Sequence, residues 1–349
     1  MLPGMSNVSR VAVLGVGSLG KEHARIYSDL TRTGQAELVG VYDVHAESAR
    51  QQAARFGVVA FTDLETALHA VDAVSVVTPT STHFEIARRA LQAGKHVLVE
   101  KPMTSTSDEA GDLVAMARER GLILQVGHVE RFNPVFRYLE EVVGDPRFIE
   151  CHRLSPYPAR STDIGVVLDL MIHDLDIILA FVRAPIESVD AVGVPVLSPH
   201  EDIANARIRF SNGCVANLTA SRISPERLRK IRVFSGGARP AYVSLDYRAQ
   251  EGFVYRLARE DEPESPLWRK LLAARDGAII SEFAGRRIVR EPVPLAKEEP
   301  LRLELAHFVD CIQQHLAPRV TGVQAKAALE VAFEIVRQIK KSSGSGRSM

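Results

Sequence analysis

The chain has 349 residues, beyond the size at which a single core usually stops growing, so two domains are expected. Lys plus Arg equals Asp plus Glu at 43 each, which argues against a nucleic-acid partner and against polybasic attachment to a membrane. Three scattered cysteines, Cys151, Cys214 and Cys311, lack CxxC spacing; they read as free thiols in a reducing cytoplasm and offer no metal site.

No apolar signal-type segment precedes the first strand, and no uninterrupted run of about 20 apolar residues exists for a membrane helix. Residues 11–14 read as a buried strand, followed at once by Gly15-Val16-Gly17-Ser18-Leu19-Gly20 and a helix over 21–30. A second strand over 38–42 ends at Asp43. Helix 46–56, strand 58–61, helix 63–70 and strand 73–77 follow, the last stopped by Thr78-Pro79. Helix 83–93, strand 96–99, helix 107–120 and strand 122–126 continue an alternation that defines an α/β, doubly wound parallel sheet.

The rhythm changes after Gly127. A helix over 133–143, a strand over 148–154 and a long helix over 163–181 precede strands at 204–210, 214–221, 229–234 and 241–245. Asn212-Gly213 between two of these is a hairpin signal. This part reads as an α+β domain with an open, mainly antiparallel sheet. Residues 251–302, rich in proline and charge, resist assignment, and amphipathic helices over 303–316 and 322–340 end the folded chain. The expected division is a nucleotide-binding domain over 1–127, a substrate-binding and oligomerisation domain over 128–340, and a disordered Ser/Gly-rich tail over 341–349.

Four constellations carry chemistry. Gly15-x-Gly17-x-x-Gly20 sits between a strand and a helix, with Asp43 at 23 residues beyond Gly20. The glycines allow a tight turn under a pyrophosphate at a helix N-terminus, and Asp43 suits the ribose hydroxyls. A carboxylate there favours NAD over NADP, because it repels a 2′-phosphate. Thr78, Pro79, Thr80 and His83 lie at the end of the fourth strand, placed either to bond the nicotinamide-side ribose or amide or to cap the next helix. Glu100-Lys101-Pro102 ends the fifth strand, and the proline keeps Lys101 extended at the edge where ligands bind. Asp169 and His173, four apart on a helix, share one face, so the carboxylate is expected to bond and orient the imidazole. The candidate cofactor set is Gly15, Gly17, Ser18, Leu19, Gly20, Asp43, Thr78, Pro79, Thr80, His83, Glu100 and Lys101. The candidate catalytic set is Lys101, Asp169 and His173.

GVGSLG at 15–20, TPTSTH at 78–83, EKP at 100–102 and DLMIH at 169–173 together resemble the Gfo/Idh/MocA oxidoreductase family over nearly the whole chain. The resemblance implies a Rossmann domain, a second domain with an open antiparallel sheet, C-terminal helices packed back on the first, and NAD-dependent oxidation of a sugar or polyol carbon. Lys101, Asp169 and His173 match its catalytic positions. Residues 127–134, 155–160 and 162–169 further resemble the UDP-N-acetylglucosamine 3-dehydrogenase subgroup, which implies a sugar-nucleotide substrate oxidised at C3. Arg131, Arg153 and Arg160 would then grip a diphosphate, with Asn133 and Tyr157 also at the substrate. His173 would act as base and Lys101 would steady the alkoxide, with the two roles exchangeable. An inositol or aldose dehydrogenase, an NAD-dependent glycosidase and a non-catalytic NAD-binding regulator stay open on the same frame. An uncovered sheet face is expected to form a homodimer or homotetramer.

Overall fold

Apolar runs with no polar alternation predict strands covered on both faces, and the first domain is built that way. The computed structural model describes residues 8–157, 164–237, 240–258, 282–283 and 286–344. Its first sheet holds β1 (Ser9–Leu14), β2 (Ala36–Tyr42), β3 (Val59–Ala60), β4 (Ala73–Val76), β5 (His96–Glu100) and β6 (Leu124–Gly127). These strands are parallel, in the order β3-β2-β1-β4-β5-β6. Every residue of β4 and of β6 is buried. Helices α1 (Ser18–Arg32), α2 (Ala46–Phe56), α3 (Leu64–Ala70), α4 (Thr80–Gln92) and α5 (Ser107–Glu119) connect them. Strand order reverses between β1 and β4, which opens a crevice at the strands' carboxyl ends.

The second domain begins with a 3-10 turn (Val129–Phe132) and α6 (Pro134–Val142). Its sheet contains β7 (Pro146–Leu154), β8 (Ile186–Val194), β9 (Ile203–Phe210), β10 (Val215–Ser221), β11 (Leu228–Ser235), β12 (Ala241–Asp246), β13 (Glu251–Leu257), β14 (Glu282–Phe283) and β15 (Arg286–Pro292). Among the described residues the order is β14-β15-β13-β12-β11-β7-β10-β9-β8, antiparallel except where β7 meets β10. The stretch that resisted assignment therefore supplies β13 and β15. Ile149, Cys151, Ile231 and Val233 face inward onto α7 (Ile172–Val182) and form the second core. On the opposite face Phe148, Phe234, Tyr242 and Tyr255 stand in register across four strands, with neighbouring ring centroids 5.7, 4.7 and 5.3 Å apart.

Two helices end the described chain. Leu305, Phe308, Val309 and Ile312 of α8 (Pro300–Gln314) pack with α1 and the first sheet. In α9 (Gly322–Gly344), Ala325 and Leu329 belong to the first domain's core, whereas Ala332, Ile335 and Ile339 belong to the second's. Just before it, Val320 O accepts the Val126 N–H at 3.2 Å. The disordered tail expected from residue 341 is corrected in part: α9 continues through Gly344, and 345–349 lie outside the described residues. Among the described residues no helix is long and apolar enough to cross a membrane. Phe308 has no exposed surface, so Phe308→Ala is expected to cost about 3–5 kcal/mol, read as a lower urea midpoint at unchanged slope.

Candidate active site

The crevice opens at the glycine corner. Gly15 adopts φ +91°, and a Cβ on it would stand 2.5 Å from Val77 O. A Cβ on Gly20 would stand 1.9 Å from Gly15 O, so loop and helix meet backbone to backbone. Gly17 differs: nothing lies within 4 Å of where its Cβ would be. It immediately precedes α1, whose N-terminus has no side-chain cap, and Ser18 and Leu19 are exposed beside it. Open space at an uncapped helix N-terminus suits a pyrophosphate, so these residues fit the cofactor. Asp43 is aimed at the same corner. Its Oδ2 accepts the Val16 N–H at 2.8 Å and its Oδ1 the His45 N–H at 2.9 Å, which leaves lone pairs on both oxygens for ribose hydroxyls.

Thr78, Pro79 and Thr80 lie opposite, at the start of α4, where Pro79 is the N-cap residue without a side-chain cap. The Thr82 hydroxyl donates to Thr78 Oγ1 and to Pro79 O, both at 2.8 Å. His83 and Glu100 do not reach the crevice as expected. The His83 ring is buried between two backbone carbonyls, Pro102 O at 2.9 Å from Nδ1 and Thr78 O at 2.8 Å from Nε2. It braces the loop after β4 against the loop after β5. The Glu100 carboxylate turns inward: Oε1 lies 3.1 Å from His23 Nε2, and Oε2 accepts the Lys101 N–H at 3.3 Å. Burial pushes this carboxyl up, but His23 and Lys101 outweigh it and hold it below the ordinary range.

Lys101 leaves the end of β5 and crosses to the second domain. Its Nζ donates to Asp169 O at 2.6 Å and to Asp169 Oδ1 at 3.3 Å, with the side chains 18% and 20% exposed. The expected uniform helix over 163–181 is not what carries Asp169. Residues Val167–Met171 form a π-helical turn that runs into α7. From this turn Asp169 is directed to Lys101. Among the described residues no hydrogen bond joins Asp169 to His173, which corrects that expectation; His173 Nδ1 is buried without a partner. Burial first, then the charges of Lys101 and Arg153, push the His173 pKa well below the ordinary imidazole value. The ring is therefore neutral around pH 7.

Arg131, Asn133 and Arg153, expected at the substrate, are structural instead. Arg153 is only 3% exposed and forks onto Asp174, with Nε to Oδ2 at 3.0 Å and Nη2 to Oδ1 at 2.9 Å. Its Nη1 donates to Glu130 Oε1 at 3.0 Å. Arg131 donates to Asp176 Oδ1 at 3.3 Å and to Arg319 O at 3.1 Å. Asn133 caps α6 by accepting the Val135 N–H at 3.1 Å. The 127–134 motif thus seats α7 through Asp174 and Asp176, and so places His173. Breaking one partner of such a buried pair costs about 3–5 kcal/mol, because it strands the other charge. Tyr157 is exposed at the edge of the described chain, and Arg160 lies outside the described residues.

Three residues near the site escaped the sequence reading. His23 follows Gly20 on the buried face of α1; its signal was the three-residue spacing. His128 follows β6, and the strand-end rule that picked out Lys101 also applies to it. Arg229 on β11 is half exposed beside Glu130, its Nη1 3.6 Å from Oε1. Among the described residues no group of three His, Cys, Asp or Glu is placed to hold a metal.

The class defined by this crevice is a two-domain, NAD-binding oxidoreductase. The chain belongs to the Gfo/Idh/MocA family: the "Oxidoreductase family, NAD-binding Rossmann fold" profile matches residues 9–128 and the "GFO/IDH/MocA C-terminal domain" profile residues 138–236. It is 38% identical over 327 residues, 93% of this chain and 96% of the other, to UDP-N-acetylglucosamine 3-dehydrogenase of Acidithiobacillus ferrooxidans. A solved structure of that enzyme superposes with a TM-score of 0.82 at 37% identity, covering 95% of this chain and 98% of that one. Scyllo-inositol 2-dehydrogenase (NAD(+)) of Bacillus subtilis is 30% identical over 94% of this chain and 93% of its own. The cofactor is NAD.

The glycine corner gives a paired test. Gly17→Ala is expected to keep the free protein's melting temperature and to weaken NAD binding about tenfold or more, measured by titration calorimetry. Gly20→Ala is expected to lower the melting temperature itself, since its Cβ meets Gly15 O.

Proposed function

We propose that this protein oxidises a ring hydroxyl of a UDP-sugar to a ketone, with C3 of UDP-N-acetylglucosamine as the substrate position, and passes the hydride to NAD. The observation that carries the reading is the Lys101–Asp169 contact, which sets a cation from the first domain near the second domain's partly buried His173. The similarity to the UDP-N-acetylglucosamine 3-dehydrogenase supports the choice of sugar. When bound, NAD supplies the hydride acceptor.

The residues of the chain handle the proton and the charge. An ammonium has three N–H bonds, and Asp169 takes up two of those of Lys101. The third is left for the sugar hydroxyl, where it would stabilise the alkoxide that develops as the C–H bond breaks. His173, kept neutral by burial, accepts the hydroxyl proton. Asp169 positions the amine. Arg229 is the half-exposed arginine beside the site that suits an anionic substrate.

Lys101→Ala is expected to cut NADH formation from UDP-N-acetylglucosamine by about 100-fold or more while NAD affinity changes little. Activity within a few-fold of wild type would remove Lys101 from the mechanism. Scyllo-inositol serves as the comparison substrate; faster NADH formation from it overturns the sugar-nucleotide reading in favour of polyol oxidation. Because the His173 pKa is lowered, the base stays deprotonated as pH falls through about 6.5, and kcat/KM should decline only below that point.

The same reading includes a homo-oligomer assembled through the aromatic ladder of Phe148, Phe234, Tyr242 and Tyr255. A cytoplasmic setting fits the three buried, unpaired thiols. Tyr242→Glu is expected to lower the mass seen by light scattering to that of one chain; an unchanged mass would place the interface elsewhere.

A further inference from the structure

With Asp169 committed to Lys101, some other group has to hold the plane of the His173 ring. A catalytic imidazole is normally fixed through its second nitrogen, and here that nitrogen, Nδ1, is buried with no partner. The ring that meets His173 is His128. Their centroids are 6.2 Å apart and their planes are at 87°, an edge-to-face arrangement that aromatic rings favour.

His128 is well placed and firmly held. It follows β6 at the carboxyl edge of the sheet, next to the strand end that carries Lys101. It is 1% exposed. Its N–H donates to Val126 O at 2.8 Å and its carbonyl accepts the Arg131 N–H at 3.0 Å. The preceding Gly127 is wedged, since a Cβ there would lie 2.7 Å from the Glu100 carboxylate. Nδ1 of His128 is also buried without a partner.

We propose that His128 is a positioning residue for His173: the edge-to-face contact of the two rings fixes the plane of the neighbouring imidazole. The proposal rests on the reading of His173 as the base. The charged groups around the pair set the conditions. Lys101 from β5, Arg153 from β7 and Arg229 from β11 bear on His173, and Asp169 lies one turn before it. Asp176, Glu100, Lys101 and Arg131 bear on His128. A proton on both rings together would set two like charges side by side in a desolvated site. Burial lowers both pKa values, so the two rings start neutral and one takes the proton.

The test combines histidine-selective 15N NMR with kinetics on the full chain. Wild type, His128→Ala and His128→Phe are titrated, with His173→Asn identifying the His173 signals. His128→Ala is expected to raise the titration midpoint of His173 by about half a pH unit or more, because burial and a competing ring are both lost. In the same variant, kcat with UDP-N-acetylglucosamine should fall about tenfold or more, while KM for sugar nucleotide and NAD stays within about twofold. His128→Phe, which keeps the ring edge, should recover most of that kcat. An unchanged His173 midpoint together with unchanged kcat in His128→Ala overturns the proposal. If His128→Ala does not fold, His128→Leu, which fills the volume without a ring, takes its place under the same criteria. An active His173→Asn would sink the base assignment instead, and the NMR coupling would be judged separately.

Discussion

The site depends on where one carboxylate points. Asp169 has two possible partners, the imidazole one turn along its own segment and the ammonium arriving from the other domain. In a regular α-helix it would share a face with His173 and bond it. Here it lies in the π-helical turn over Val167–Met171, and its Oδ1 goes to Lys101. The segment is held in this form from outside. Val167 N–H donates to Glu201 Oε1 at 3.4 Å, and Ile164 O accepts from Arg222 at 2.6 Å. Arg222 is itself paired with Asp202 at 2.8 Å, with both side chains fully buried. The cleft therefore contains a charged cross-domain contact rather than an isolated lysine facing an acid–imidazole pair.

Buried charge is the recurring means of placement. Arg153 with Asp174 and Glu130, Arg131 with Asp176, Arg222 with Asp202 and Glu100 beside His23 all lie where a hydrophobic pair of equal volume would serve stability as well or better. Their shared property is direction. A fork of Arg153 onto Asp174 fixes the rotation of α7, which apolar contacts alone leave freer. Glu304 is the exception. It is fully buried, and burial and the nearby Glu100 and Asp176 push its carboxyl well above the ordinary range.

The first domain was legible because its rules are local. A strand covered on both faces is written as an apolar run, a helix start as glycine after that run, and a ribose-binding carboxylate as Asp43 at the next strand's end. Lys101 was legible for the same reason. Legibility stopped at the direction of side chains next to those positions: His83 and Glu100 sit in the right loops but turn inward, because carbonyls and a histidine from other elements take them. The arginines of 131 and 153 looked like substrate ligands because their partners, Asp174 and Asp176, are more than 20 residues away and meet them only in the folded chain. The π turn left no sign in the periodicity. Its five residues are as apolar as any helix interior apart from Asp169 itself.

The final helix belongs to two cores at once, Leu329 to one and Ile335 to the other, less than two turns apart. A rod clamped at both ends in this way resists any clamshell motion, since swinging one lobe away would pull half of it out of its packing.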